Sequence, residues 1–353
     1  MVKLLNVLFV VLTVVLIVLI LYLAVVFLPI PWVSDMRDLW IETAMTTGEH
    51  QWLATMLFPQ YLINEVMSKQ VNPSGILSDP DLVDIDNNDD KPVFSGKEDQ
   101  VTIDTVTKKM YDEFGNEIIV DDIEQELRII QVKGNNFVGH LILVPDPSRI
   151  VVRNCEQPEV IGDFIKKLCG DDGIAAINAN AFLDIEGHGN GGHILGYSVS
   201  DGAEWGDPEY GRDFYISMGF DKDNKLIVGN LTDFNQLGIR DLVQYQPAMI
   251  IDGKQLVSGS AAWGIHPRTA IGQRADGTVI LAVIDGRQLG YSLGTTIGEL
   301  ADLLFEYGCV NAAACDGGSS SIMFYNGKFI GTPSTPMKET GRYLPNAIVV
   351  LKK

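Results

Sequence analysis

Basic side chains are scarce in this sequence. Lys and Arg number 26 against 46 Asp and Glu, for a formal net charge of −20. Lys3 is the only charge before Asp35, so the rest of the chain carries 25 basic and 46 acidic side chains, −21 in all. A body of that sign repels phosphate backbones, and no nucleic-acid partner is expected. Cysteine is equally sparse: Cys155, Cys169, Cys309 and Cys315. Four are too few to frame a chain of this length with disulfides, and no C-x-x-C pair suggests a structural zinc site. Outside the cytoplasm they could still pair. Cys309 and Cys315, in an apolar segment, equally fit buried thiols. Also missing are a GxxxxGK[ST] phosphate loop, a GxGxxG turn after a first strand and a GxSxG nucleophile elbow. Nucleotide-driven chemistry and the commonest serine-hydrolase setting drop out, and no cofactor or metal is expected.

What is present begins with residues 4–28, an apolar run without a charge, interrupted only by Asn6, Thr13 and Tyr22. A bilayer core needs about 20 such residues in a helix. A secretory signal has a shorter apolar region and ends at a small-x-small site; this run instead exits through Pro29-Ile30-Pro31-Trp32. Residues 1–30 therefore read as a membrane anchor. Lys3 lies before the run and Asp35, Asp38 and Glu42 after it, which places the N-terminus in the cytoplasm and the body outside, as a single-pass cell-membrane protein. Trp32 suits the interfacial aromatic belt.

Residues 31–71 read as a helical, membrane-proximal stalk in which Leu39, Trp40, Ala44, Trp52, Leu53, Met56 and Leu57 recur at near-helical spacing and pack on something. Residues 72–100, rich in Asp, Asn, Pro and Gly, read as an acidic linker, with the 86–90 run solvated rather than calcium-binding. From 101 onward short β-rich runs alternate with turn signals: 127–132, 137–144, 150–152, 174–177, 215–220, 225–228, 249–251, 269–272, 279–284, 321–325 and 347–351. Asp252-Gly253, Asp276-Gly277 and Asn326-Gly327 fit hairpin turns. Helices are expected at 159–168 and 296–307. Many strands with few helices, not strictly alternating, predict an α+β domain over 101–353, with mixed or mostly antiparallel sheets.

Three strand-like runs end in polar tips, where sites commonly form. One is Asn178-Ala179-Asn180 followed by a Gly-rich stretch containing His188 and His193. With Asp184 and Glu186 this resembles a metal cluster only loosely, and a backbone cradle is the better fit. A second joins His266-Pro267-Arg268-Thr269 with Asp285-Gly286-Arg287. Arg268 suits bidentate contact with a phosphate, or alternatively a structural pairing with Asp285, and Asp285-Gly286-Arg287 could be a hairpin turn. The third is Asp316-Gly317-Gly318-Ser319-Ser320-Ser321. Its glycines let backbone N–H groups approach an anion, its hydroxyls suit a sugar, and Asp316 at its mouth suits an acid, base or nucleophile. The bland alternative is a tight turn in which Asp316 serves its own backbone.

Together INANAF (177–182), HPRTAIG (266–272), VIDGR (283–287), the 295–321 helix–strand–loop ending in CDGGSSS, and PNAIVV (345–350) resemble the phosphodiester glycosidase family in order and spacing, over roughly 126–353. Bacterial members are often labelled exopolysaccharide biosynthesis proteins. Residues 179–181 read Ala-Asn-Ala where the family frequently has glycines, and Asp-Gly-Gly-Ser lacks a third glycine. The resemblance implies cleavage of a sugar C1–O bond to a phosphodiester, in wall or exopolysaccharide metabolism. Such chemistry normally uses two carboxylates, here Asp316 and Asp285. It also implies His266, Arg268 and the Gly317 and Gly318 N–H groups at the leaving phosphate, with Thr269, Asn178, Asn180, Gly286, Arg287, Ser319, Ser320, Arg342 and Asn346 lining the pocket. A non-catalytic module for anionic glycans and a transfer enzyme on lipid-linked sugar phosphates stay open beside it. The sequence gives no oligomeric state.

Overall fold

The computed structural model describes residues 2–85, 101–184, 189–206, 215–231, 237–335, 337 and 339–353. They fall into two compact units. One is Met1–Gln70 with Ala262–Gly264; the other is Val71–Ala261 with Ile265–Lys353.

The first unit is helical. Helix α1 (Val2–Phe27) is, among the described residues, the one helix long and apolar enough to cross a membrane. Helix α2 (Pro31–Met45) starts on a proline, whose fixed φ suits a first turn. Helices α3 (Trp52–Thr55) and α4 (Gln60–Met67) follow. Val26 of α1 joins Ile41, Ala44, Ala54, Leu62, Ile63 and Val66 in a small core, and Arg37 Nη1 donates to Val26 O at 3.2 Å. The aromatics expected to pack do the reverse: Trp40 and Trp52 are exposed, as are Met56 and Leu57. The smaller aliphatics close the helix contacts instead.

The second unit is built on sheets, and every strand pairing among its described residues is antiparallel. The largest sheet runs, in spatial order, Thr102–Ile103, Met110–Tyr111, Glu117–Asp122, Leu127–Lys133, Val138–Val144, Val279–Ile284, Arg268–Arg274, Cys309–Cys315, Ala248–Ile251 and Lys254–Gln255. A second holds Leu226–Gly229, Ile216–Asp221, Ile239–Tyr245, Tyr197–Ser200 and Ala203–Gly206. A third holds Lys328–Ile330, Met323–Tyr325, Gly173–Asn178, Asn346–Leu351 and Ile150–Asn154. Aliphatic side chains from all three meet in one core, among them Ile129, Ile142, Ile177, Met218, Val243, Ile271, Leu281 and Ile348. This is the expected α+β class. The three expected hairpin turns form, with Asp252 and Asn326 at positive φ beside their glycines.

Two expectations need correction. Only Ile165–Cys169 of the 159–168 stretch is helical (α5). Glu159 sits at φ 66° and Gln157 bridges to Ile161, so a tight turn occupies the first half and α5 starts after Phe164. Residues 72–85 of the expected linker are not free: Ser78 and Asp84 donate backbone bonds to Val228 and Ala275, and Val83 is buried. A few well-placed apolar side chains suffice to dock a polar segment whose backbone groups are paired. Residues 86–100, with the acidic run, lie outside the described residues.

The helix expected at 296–307 forms as α6 (Ile297–Glu306), with Thr296 as its N-cap. Thr296 Oγ1 accepts from Glu299 N at 3.2 Å while Glu299 Oε2 accepts from Thr296 N at 2.9 Å. This reciprocal capping satisfies two otherwise orphaned donors. Thr296→Ala should cost about 1 kcal/mol, read as a lower urea midpoint at unchanged slope.

Candidate active site

The site forms where sheet ladders end. Arg268 begins its strand opposite Ile284, and Thr269 lies opposite Cys315. One residue further, Asp285 falls level with Pro267 and Asp316 with Arg268. Pro267 is wedged between the two tips. A Cβ on Gly286 would lie 2.8 Å from Pro267 N, one on Gly317 would lie 2.9 Å from Pro267 O, and Gly318 N donates to Pro267 O at 2.9 Å. Both glycine stretches are therefore required by close backbone approach. Cys309 and Cys315 are buried free thiols, as are Cys155 and Cys169.

Asp316 leaves its strand with its backbone N–H on Ala179 O (2.8 Å) and its carbonyl accepting from Asn178 Nδ2 (2.6 Å). Its side chain keeps some solvent access at the site mouth while protein surrounds the carboxyl. Burial pushes its pKa up to about 6. A hydrogen bond from Ser320 and the Arg342 charge oppose this, Asp184 reinforces it, and the Gly317 N–H, which bonds the carboxylate, also opposes it. Arg342 is held three ways: Nη1 donates to Ser319 Oγ (2.9 Å), Nη2 to Asp184 Oδ2 (2.7 Å), and its guanidinium lies 4.5 Å from the Phe182 ring centre. Tyr245 also hydrogen-bonds Asp316. Its phenol is pushed far up, first by burial and then by the Asp316 charge. Tyr215 stacks on Tyr245 with ring centres 6.1 Å apart. Neither tyrosine was a candidate from the sequence, since both come from the second sheet's strand region and carry no local signal.

Two arginines converge on the same turn. Arg268 is buried and donates Nε to Thr295 O at 3.4 Å. Arg287, exposed and at φ 59°, reaches Gly318, where a Cβ would stand 3.0 Å from its Nη2. Burial lowers the Arg268 pKa to about 10. Tyr245 counters this and Arg287 adds to it, so the guanidinium stays charged at neutral pH. His266 pairs with Thr295 through both backbone groups, at 3.2 and 3.0 Å. Burial, then the Arg268 and Arg287 charges, drive its pKa well below the ordinary value, so it is neutral. The glycine N–H groups are not available to an anion as expected: Gly317 serves Asp316 and Gly318 serves Pro267. Arg268 and Arg287 are the cationic side chains that approach this turn.

Asp285 has different surroundings. Its Oδ2 accepts from Tyr291 Oη (2.8 Å) and Thr332 N (3.0 Å), and its carbonyl accepts from Ser292 Oγ (2.6 Å). Its pKa rises to about 6 from burial, against the Tyr291 and Thr332 hydrogen bonds. A Cβ on Gly331 would fall 2.7 Å from Asp285 Oδ2 and 3.0 Å from His140 Nδ1. His140 is buried and neutral, lowered to about 4 by burial first and Lys133 second, and its Nδ1 has no partner among the described residues. Asp285 thus joins the 286–293 loop to the exit of the Lys328–Ile330 hairpin, and no tight turn forms at 285–287; the bridge is Gln288 to Ser292. The Asp285 and Asp316 backbones stand two ladder spacings apart, about 10 Å.

Four expected substrate ligands, Thr269, Asn178, Asn180 and Asn346, turn inward. Asn178 is fully buried; its Oδ1 accepts from Thr269 Oγ1 (2.8 Å) and Ile322 N (3.2 Å) while its Nδ2 holds the Asp316 carbonyl. Asn180 and Asn346, equally buried, bond each other: Asn346 Nδ2 to Asn180 Oδ1 (2.9 Å) and Asn180 N to Asn346 Oδ1 (2.9 Å). They lock the third sheet to the loop behind Asp316 and present nothing to a ligand. Asn178→Ala would strand three buried partners and should destabilise by about 3 kcal/mol, seen as a lower urea midpoint. His193 pairs with Glu159 at 2.7 Å and Asp184 with Arg342, while Glu186 and His188 lie outside the described residues.

A sequence profile of the phosphodiester glycosidase family matches residues 171–351. The chain belongs to that family. The match takes in the Asn178, Arg268, Asp285, Asp316 and Arg342 segments. The SPbeta prophage-derived uncharacterized protein YomE of Bacillus subtilis (strain 168) is 32% identical over 173 residues, 46% of this chain and 26% of YomE. The chain thus spans about a quarter of that relative's length. Among solved structures, the catalytic domain of zebrafish N-acetylglucosamine-1-phosphodiester alpha-N-acetylglucosaminidase, auto-inhibited by its pro-peptide, superposes with a TM-score of 0.54 at 18% identity, covering 80% of this chain and 96% of that one. That likeness is one of fold.

Proposed function

We propose that this phosphodiester glycosidase hydrolyses the C1–O bond between a sugar and a phosphodiester, with Asp316 as the reacting carboxylate. The observation that carries the reading is the convergence of Arg268 and Arg287 on the turn that presents Asp316. A carboxylate that feels the Arg342 charge, on a turn that the Arg268 and Arg287 side chains approach at Gly317 and Gly318, suits a reaction in which C1 becomes cationic while an anion departs. Asp316, ionised above about pH 6, faces the charge developing at C1 or takes the proton of the attacking water. The leaving phosphate monoester departs as an anion that the guanidiniums hold. Arg342, fixed by Asp184 and Phe182, orients Ser319 and steadies the loop. Asp285 acts in this scheme by positioning the 286–293 loop that carries Arg287.

Release of free sugar and a phosphate monoester from a panel of sugar-1-phosphodiesters is the decisive assay. Tight binding of anionic glycans without turnover would mark a binding module, and sugar transfer to an alcohol in place of water would mark a transfer enzyme. The same proposal places α1 in the cell membrane, with the N-terminus cytoplasmic and the site outside, close to wall or exopolysaccharide polymers.

A further inference from the structure

We propose that the layer formed by α2–α4 does not stand above the membrane on α1 but lies in the outer interface, with residues 51–64 inserted among the lipid headgroups. This rests on α1 being a membrane span and goes beyond it. Residues 51–64 contain no charged side chain in a chain that is 20% charged. Trp52, Met56, Leu57 and Tyr61 are all exposed within that stretch, Met56 by 75%, and Trp32, Met36 and Trp40 add to the exposed apolar surface of the unit. Exposed large apolar side chains gathered in one short uncharged stretch mark a surface that meets something other than water.

The hydrogen bonding sets the depth. Tyr22 Oη of α1 donates to Leu57 O at 2.7 Å. Tyr22 lies five residues inside the helix end at Phe27, about 8 Å at 1.5 Å per residue. Lys3–Phe27 contains 25 residues, about 37 Å of helix against a hydrocarbon core of about 30 Å. A centred α1 therefore puts Tyr22 near the boundary between hydrocarbon and headgroups, and Leu57 with it. Val26 is buried against α2–α4 and Arg37 caps Val26 O, so the layer is fastened to that level of α1. Trp40 Nε1 is satisfied by Leu53 O at 3.1 Å, which leaves its ring free to meet lipid without an orphaned donor. Tryptophan and tyrosine favour this zone for their mixed character.

The test is depth measurement on the full chain in phosphatidylcholine–phosphatidylglycerol vesicles. Single cysteines at Met56, Leu12 and Val106 are nitroxide-labelled, and collisions with oxygen and with a water-soluble nickel chelate are compared. The native thiols are buried and held protonated, Cys155 and Cys169 up to about 11, so labelling is selective. All three positions are exposed, so the labels do not disturb packing. The Met56 label should favour oxygen several-fold over its ratio at Val106, with Leu12 deeper still. A Met56 label as open to nickel as Val106 overturns the proposal. If Leu12 then remains in lipid, the anchor stands and only the inserted layer fails; if Leu12 is also in water, the anchor fails as well. Shielding of Met56 from both reagents would place the face against protein and overturn it equally.

Discussion

Asp316→Asn should reduce kcat for sugar-phosphodiester hydrolysis about 10³-fold, in the range that removal of an acid–base or nucleophilic group produces, with the fold intact by circular dichroism. Retention of the wild-type rate would remove Asp316 from the reaction. The pH profile sharpens the test. If the ionised form reacts, kcat/KM climbs with pH through about 6 and then levels, and the Asn variant loses that limb. Asp285, held near the same value by burial, would give a similar limb, so Asp285→Asn must be profiled beside it; a limb that persists in one variant and vanishes in the other assigns it. Stability runs the opposite way with pH. A carboxyl whose pKa is raised in the folded state binds more protons folded than unfolded between the ordinary value of 3.8 and about 6. Its contribution is full below that window and is lost as pH rises through it. The Asn variant should therefore lose less stability than wild type between pH 4 and 7.

Arg268→Ala carries the second large effect: kcat/KM on sugar phosphodiesters should fall about 10²–10³-fold, the loss typical of one preorganised group at a developing anion. Neutral aryl glycosides of the same sugar, which shed no phosphate, should lose much less. Equal losses on both substrates would mean that Arg268 shapes the turn and does not bind the phosphate. A structural role is a real rival, since Arg268 is buried and bonded to Thr295 O. Arg287→Ala separates the two further, because Arg287 is exposed and its removal costs little packing.

The parts of the fold that follow from local rules were readable in the sequence. The 296–307 stretch announces α6, Asn326-Gly327 announces its hairpin, and the polar strand tips mark the ladder ends where Asp285 and Asp316 stand. Side-chain direction was not readable. Asn178, Asn180 and Asn346 sit at strand ends like Arg268 and Asp316, yet they face a gap between sheets whose existence depends on pairings far apart along the chain. Tyr245 and Tyr215 reach Asp316 from another sheet for the same reason. Docking of 72–85 was hidden because its composition is that of a linker, and only the geometry of its backbone partners reveals otherwise. In the 159–168 stretch a left-handed Glu159 and the turn after it keep the first half out of the helix.

The ladder that presents the site has a consequence for how the chain is made. Val138–Val144 cannot complete its pairing until Val279–Ile284 has been synthesised, Arg268–Arg274 waits for Cys309–Cys315, and Gly173–Asn178 waits for Asn346–Leu351. Pairings of such long sequence separation form slowly. Each of these strands therefore keeps one edge open until its distant partner has been made, although Val138–Val144 and Arg268–Arg274 already have a hairpin neighbour on the other edge. The topology that aligns Asp316 with Arg268 thus also defers closure of the sheets until strands far along the chain have been made.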